Sequence, residues 1–186
     1  MATAPGLDVQ KGMRMDTGGV PKGPWASPLR PMNIPDFRGP GAFAAVRKFD
    51  IHTGVDLYAA QGATVYAVEA GTVIAVEKFT GPSAGTPWWL DTQAVLVAGD
   101  SGVVVYGEIE PSVQVGDVVQ AGAVIGAVKQ VLRQDKGVTP VCMLHLELLD
   151  HGATESAPVW ALGAPAPAGL LDPTEHLIAV KGRSYR

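Results

Sequence analysis

Charge is scarce in this chain of 186 residues: 14 Lys and Arg stand against 18 Asp and Glu, 17% of the total, for a net charge of −4. The basic residues form no cluster, so the footprint for gripping nucleic acid by phosphate neutralisation is missing. Cysteine is nearly absent. The single Cys142 excludes an intrachain disulfide and says little about redox compartment. No apolar run approaches the ~20 residues that span a bilayer. Residues 1–31 lack the apolar stretch of a secretory leader, so the sequence predicts a protein that is cytoplasmic at synthesis. Histidine is rare too, at four positions, which makes the placement of each one informative.

The chain has instead 23 Gly and 15 Pro, with Val and Ala prominent in its apolar set. That composition favours short strands and many turns over a helical bundle. Its length allows a proper core without disulfide staples. Residues 1–40 are Pro/Gly-rich and show no period, so they read as an irregular arm, tied down on a partner in a larger assembly. Strands are expected at Ala63–Val68 and Gly71–Glu77, joined by a tight turn. Ala94–Ala98 and Val103–Ile109 flank Gly99-Asp100-Ser101-Gly102 and read as a hairpin. Val113–Gly126 turns corners at its glycines, and Cys142–Leu149 is the last clear strand. Asp172 and Pro173 are suited to the cap and first position of a short helix. The expected division is 1–40 arm, 41–150 core domain and 151–186 extension packing on it.

Two segments carry the chemistry. In Cys142–Leu149 alternation puts Leu144, Leu146 and Leu148 on the core side, with Met143, His145 and Glu147 opposite. Cys142 then points away from His145 and is read as a small buried hydrophobe. In His52-Thr53-Gly54-Val55-Asp56 the two polar ends would stand ~13 Å apart in a straight strand, so the chain must bend if both are to reach one ion. Gly54 is the residue that permits a bend there. Two imidazoles and a carboxylate are the donor types that hold zinc while leaving its fourth position to water. His151 and His176 sit in no motif and are read as structural.

From Arg47 to Leu149 the sequence resembles the lysostaphin-type (LytM-like) zinc endopeptidases of peptidoglycan. The resemblance rests on His52–Asp56, on Gly62–Ala67 with Gly71–Val73, on Val105-Tyr106-Gly107, on Val115–Gly122 with Ile125-Gly126, and on His145-Leu146-Glu147. It implies a mostly β fold, an antiparallel sheet core of the LytM-like (duplicated hybrid motif) type. It further implies Zn2+ held by His52, Asp56 and His145. Two positions depart: Glu108 and Met143 stand where the family has catalytic histidines. Methionine can neither deprotonate water nor donate to an oxyanion, whereas Glu108 can serve as general base. By alternation Glu108 shares a face with Tyr106, and both are expected in the cleft. Tyr106, Trp88 and Trp89 are the expected substrate-binding residues, and Glu147 is expected to be structural. The implied activity is zinc-dependent peptidoglycan hydrolysis; with no secretory leader read in the sequence, delivery by a phage particle or injection device is expected. The alternative is a catalytically degenerate module with a binding role in an assembly such as a phage tail. Biotinyl or lipoyl carriers share the Gly-cornered pattern, but Lys78 and Lys129 lack the flanking residues that a modified lysine requires.

Overall fold

The computed structural model of the protein describes residues 25–134 and 141–183. Eleven strands occur among these residues: β1 (Asp50–Ile51), β2 (Val55–Tyr58), β3 (Thr64–Tyr66), β4 (Gly71–Thr80), β5 (Thr92–Gly99), β6 (Gly102–Pro111), β7 (Val118–Val119), β8 (Val124–Val128), β9 (Met143–Leu149), β10 (Trp160–Ala161) and β11 (Leu170–Leu171). One α-helix, α1, spans Thr174–Arg183. Asp172 caps it, its carboxylate accepting the Thr174 N–H at 2.8 Å. No described helix is long and apolar enough to cross a membrane.

Nine strands make one antiparallel sheet with the path β11-β9-β6-β5-β4-β7, while β1 and β10 pair separately. The expected hairpin is present as β5–β6, closed by the Gly99↔Gly102 pair. The expected neighbours at 63–68 and 71–77 both contain strands, but these do not pair with each other. β3 pairs with β8, and β4 pairs with β5 and β7. The turn between them is a corner that sends the chain from one part of the sheet to another.

The centre of the sheet is β6, whose run of Val103–Tyr106 is buried on both faces. Val104, Tyr106 and Ile109 join the main core, with Leu144, Leu146 and Leu148 of β9 as the alternation predicted. Val103 and Val105 join a smaller cluster on the other face, with Ala94, Leu96 and Leu149. Tyr106 and Ile109 are three residues apart yet share one core, which strict alternation forbids. The pairing explains it: Val95 opposes Tyr106 and Gln93 opposes Ile109, so two residues of β6, Gly107 and Glu108, stand against Ala94 alone. This is a β-bulge. At the same point β6 exchanges its other neighbour, from β9 (through Gly107) to β8 (from Ile109).

Residues 25–34 are irregular, as the arm's composition implies, but they lie on the domain. Trp25 and Leu29 are buried in the main core beside Leu177 and Val180 of α1. The Trp25 indole N–H donates to Ser101 Oγ (2.9 Å), and Ser101 donates in turn to buried Glu69 (2.8 Å). The Trp25 ring stacks on His176 at 4.5 Å, which gives His176 a packing role. Residues 1–24 of the expected docking arm lie outside the described residues.

Candidate metal centre

His52, Asp56 and His145 come together because of strand register. Asp56 on β2 is the direct cross-strand partner of His145 on β9. His52 lies in the link between β1 and β2, where its backbone N–H donates to Ala45 and its carbonyl accepts from Ala44. The donor atoms form a nearly equilateral triangle. His52 Nε2 is 3.0 Å from His145 Nδ1 and 3.0 Å from Asp56 Oδ1, and His145 Nδ1 is 2.9 Å from Asp56 Oδ1. All three residues are buried.

The far sides of the two rings fix what faces the triangle. His52 Nδ1 lies 2.8 Å from the Ala42 carbonyl, which can only accept, so that nitrogen carries the hydrogen and Nε2 presents a lone pair. His145 Nε2 lies 3.1 Å from Glu147 Oε1 and is likewise the donor, which leaves Nδ1 a lone pair. Two nitrogen lone pairs and a carboxylate oxygen thus converge within 3 Å, an arrangement that repels itself unless a positive charge sits at its centre. In the metal-free protein that charge is a proton. Burial opposes charge on His145, but hydrogen bonds to Asp56 and Glu147 outweigh it and push its pKa up to about 10. Burial likewise opposes charge on Asp56, yet the two imidazoles hold its carboxyl well below the usual carboxylate range. His52 goes the other way. Burial, helped by repulsion from His145 and Arg47, lowers its pKa and keeps the ring neutral, the form a metal ligand needs. A divalent cation fits this donor set, and the outer contacts of both rings are the kind that orient metal-binding histidines.

The surroundings are built to keep the triangle in place. Glu147, almost fully buried, uses both oxygens: Oε1 accepts from His145 and from the Thr53 hydroxyl (2.6 Å), and Oε2 accepts the Ala157 N–H (3.0 Å). The chain bends at Gly54, as expected. Its φ lies outside the left-handed range, so the need for glycine comes from contact. A Cβ at position 54 would meet the Leu146 carbonyl at 2.5 Å and His145 Nε2 at 2.8 Å, so Gly54 makes room for the His145 ring. Phe79 supports the same ring at a centroid distance of 5.3 Å and fits there because Gly107 has no side chain.

The triangle opens into a cleft of about 260 Å³ whose lining includes Arg47, Phe79, Trp89, Glu108 and Trp160. Glu108 reaches it by the bulge. Its φ of 63° turns the backbone into the left-handed region and aims the side chain away from the Tyr106 core. The expectation that Glu108 faces the cleft because it alternates with Tyr106 had the wrong reason: the Tyr106 side is core. Glu108 Oε2 is the only buried side-chain oxygen or nitrogen without a hydrogen-bond partner among the described residues. Burial, with repulsion from Asp56, raises its pKa to about 8.

The other expected binding residues divide. Tyr106 is fully buried and its hydroxyl accepts the Val68 N–H at 2.8 Å, so it lies in the core and outside the cleft, a correction to its expected role. Its buried phenol has a raised pKa for the same reason, burial. Trp89 lines the cleft, whereas Trp88 is 62% exposed and is not part of the lining, although the two rings touch edge to face. Cys142 is buried in the main core, as expected. The sequence reading missed Arg47, whose guanidinium binds Asp56 Oδ2, and Phe79. Neither stands in a motif that marks it.

The family model for peptidase family M23 matches residues 50–157, more than half of the chain. The chain belongs to peptidase family M23. The matched span of this M23 domain contains the whole triangle, Glu108 and Glu147. Its fold is that of the lysostaphin catalytic domain from Staphylococcus simulans, with 20% identity and a TM-score of 0.51 over 81% of this chain and 95% of that one. Full lysostaphin gives 16% identity and a TM-score of 0.54 over 84% of this chain and 54% of its own. A zinc-containing peptidase from Vibrio cholerae aligns at 25% identity and a TM-score of 0.40 over 52% of this chain. The M23 chain spans only 26% of that relative's length. No curated protein sequence matches it.

Proposed function

We propose that this M23 domain is a zinc-dependent endopeptidase acting on the peptides of peptidoglycan, with Glu108 as general base. The observation that carries the reading is the triangle of lone pairs, with Glu108 in the cleft beside it. His52 Nε2, Asp56 Oδ1 and His145 Nδ1 would hold the ion; nitrogen and oxygen donors of this kind suit zinc. Glu108 is outside the cluster of mutually close donors, so it would not be a fourth protein ligand. Zinc bound there supplies a Lewis acid for the scissile carbonyl and lowers the pKa of a water toward neutrality.

Glu108 would take the water proton. Its raised proton affinity keeps it a usable base near neutral pH, and a neighbouring cation favours the ionised form. In this reading Glu108 and Met143 occupy the two positions at which the resemblance puts histidines, so one acidic group carries the proton traffic. Phe79, Trp89 and Trp160 give the cleft apolar walls that limit water. Lysostaphin, whose fold the chain shares, is described as an antimicrobial peptidase, in keeping with a cell-wall substrate.

The test is metal analysis followed by an assay for newly released amines from whole sacculi and from a glycine-rich peptide. Zinc-loaded wild type should release amines, and E108A should bind zinc at full occupancy and release none. Full zinc occupancy with no release from any wall type would sink the peptidase reading. That outcome would favour a binding module within a larger assembly, such as a particle that carries the domain to the wall, a reading that draws on the buried thioether of Met143. Trp25 and Leu29 pack on their own domain and are not available for docking, whereas Phe37, in the same arm, is exposed.

A further inference from the structure

Among the described residues, Arg47 is the one Lys or Arg in the lining of the cleft. It is anchored on two sides. Nε and Nη2 donate to the Pro40 carbonyl at 3.1 and 2.9 Å, and Nη2 also donates to Asp56 Oδ2. A guanidinium carries five N–H donors in one plane. Three are used in this way, and the two on Nη1 have no acceptor among the described residues. The Asp56 contact is made by the oxygen that does not face the triangle, so the guanidinium stands one carboxylate away from the donor atoms. The Arg47 side chain keeps 33% exposure where Asp56 has 5%, so it is held but not sealed.

Amide hydrolysis gains from a hydrogen-bond donor where negative charge develops, in addition to the Lewis acid and the base for the water. Met143 has no hydrogen to give, and Glu108 is occupied with the proton. The geometry points to Arg47 as that donor: its Nη1 hydrogens receive the charge developing on the carbonyl oxygen of the scissile amide. The inference rests on the peptidase reading above. In the first step the water oxygen bonds to the carbonyl carbon, the water proton passes to Glu108, and the carbonyl electron pair moves onto the oxygen beside Arg47. In the second step that pair returns, the C–N bond breaks, and the leaving nitrogen takes the proton from Glu108. The products are a carboxylic acid and an amine. Arginine keeps its charge throughout and is already oriented by Pro40 and Asp56, so little reorganisation is needed at the moment of reaction.

A group that only clamped Asp56 would behave differently, and the experiment separates the two. The probe is a glycine-rich peptide whose scissile carbonyl is replaced by a tetrahedral phosphinate. Its affinity is measured by calorimetry at saturating zinc for wild type, R47K and R47Q, with zinc affinity measured separately by chelator competition. R47Q should bind the phosphinate about 10²–10³-fold more weakly, matching the loss of one oxyanion donor. Its KM for the cleavable peptide should change by less than about threefold, because ground-state binding does not use the contact. R47K should fall between the two, and added guanidinium ion should raise the turnover of R47A. If R47Q keeps wild-type phosphinate affinity once zinc is saturating, Arg47 is only a clamp and the inference is wrong. If zinc-loaded wild type neither cleaves the peptide nor binds the phosphinate, the peptidase reading fails and takes this one with it.

Discussion

Glu108 gives the sharpest quantitative prediction, because its cost and its use point in opposite directions. It is 9% exposed, sits in the left-handed region and has an orphan oxygen, and burial raises its pKa from about 4.5 to about 8. The folded metal-free protein therefore holds this proton more tightly than the unfolded chain does. Stability drawn from the protonated carboxyl is fully present below about pH 4.5, declines as pH rises, and is lost through about pH 8. Each tenfold difference in proton affinity is worth about 1.4 kcal/mol, so at pH 7 the ionisable group weakens the fold by roughly 3 kcal/mol. The neutral isostere E108Q should match wild type at pH 4 in chelator, then gain on it steadily to roughly 3 kcal/mol at pH 7 and level off above pH 8. Urea denaturation at one-unit pH steps reads this directly. With zinc bound the advantage should shrink, since the cation favours the carboxylate, while hydrolysis by E108Q is lost. A pH-independent difference between E108Q and wild type in chelator would refute the reasoning, because the carboxylate would then not be strained by its site.

Three further substitutions probe the supports. E147Q places an N–H donor among groups that already donate, so zinc affinity should drop about 10–100-fold by chelator competition, as is usual for partners of ligating histidines. Unchanged affinity would mean that the His145 ring is oriented by packing alone. G54A drives a methyl into the Leu146 carbonyl and the His145 ring, and should cost about 1–3 kcal/mol in thermal or urea unfolding and reduce zinc occupancy. W25F removes the donor to Ser101 and should lower stability by about 1 kcal/mol. An unmoved unfolding midpoint would show that residues 25–34 are not tied to the core through this bond.

What the sequence revealed depended on whether a local pattern carried the information. The β class, the β5–β6 hairpin, the Leu face of β9 and the Asp172 cap follow from alternation, turn residues and capping, all readable within a few positions. The triangle was visible because two short motifs hold its three donors. Tyr106 was misplaced, and Glu108 was placed by a faulty count, for one shared reason. An extra residue in β6 reverses the alternation, and nothing in Val105–Glu110 announces where the register slips. The bend at Gly54 was legible, but its tight contact with Leu146 and His145 was not, because a contact so distant in sequence leaves no local trace. Arg47 and Phe79 reach the site through tertiary packing alone. The separation of β3 from β4 reflects competition among partners across the sheet, which no single segment encodes.

Glu147 joins two things that would otherwise be independent: one oxygen steadies the His145 ring and the other tethers the Ala157 backbone, where the chain walls the cleft. Anyone grafting a new specificity loop onto this scaffold inherits that tether. Changes confined to residues 151–155 leave it intact, whereas redesigning the loop through Ala157 without an equivalent N–H would loosen the hold on the His145 ring along with the wall of the cleft.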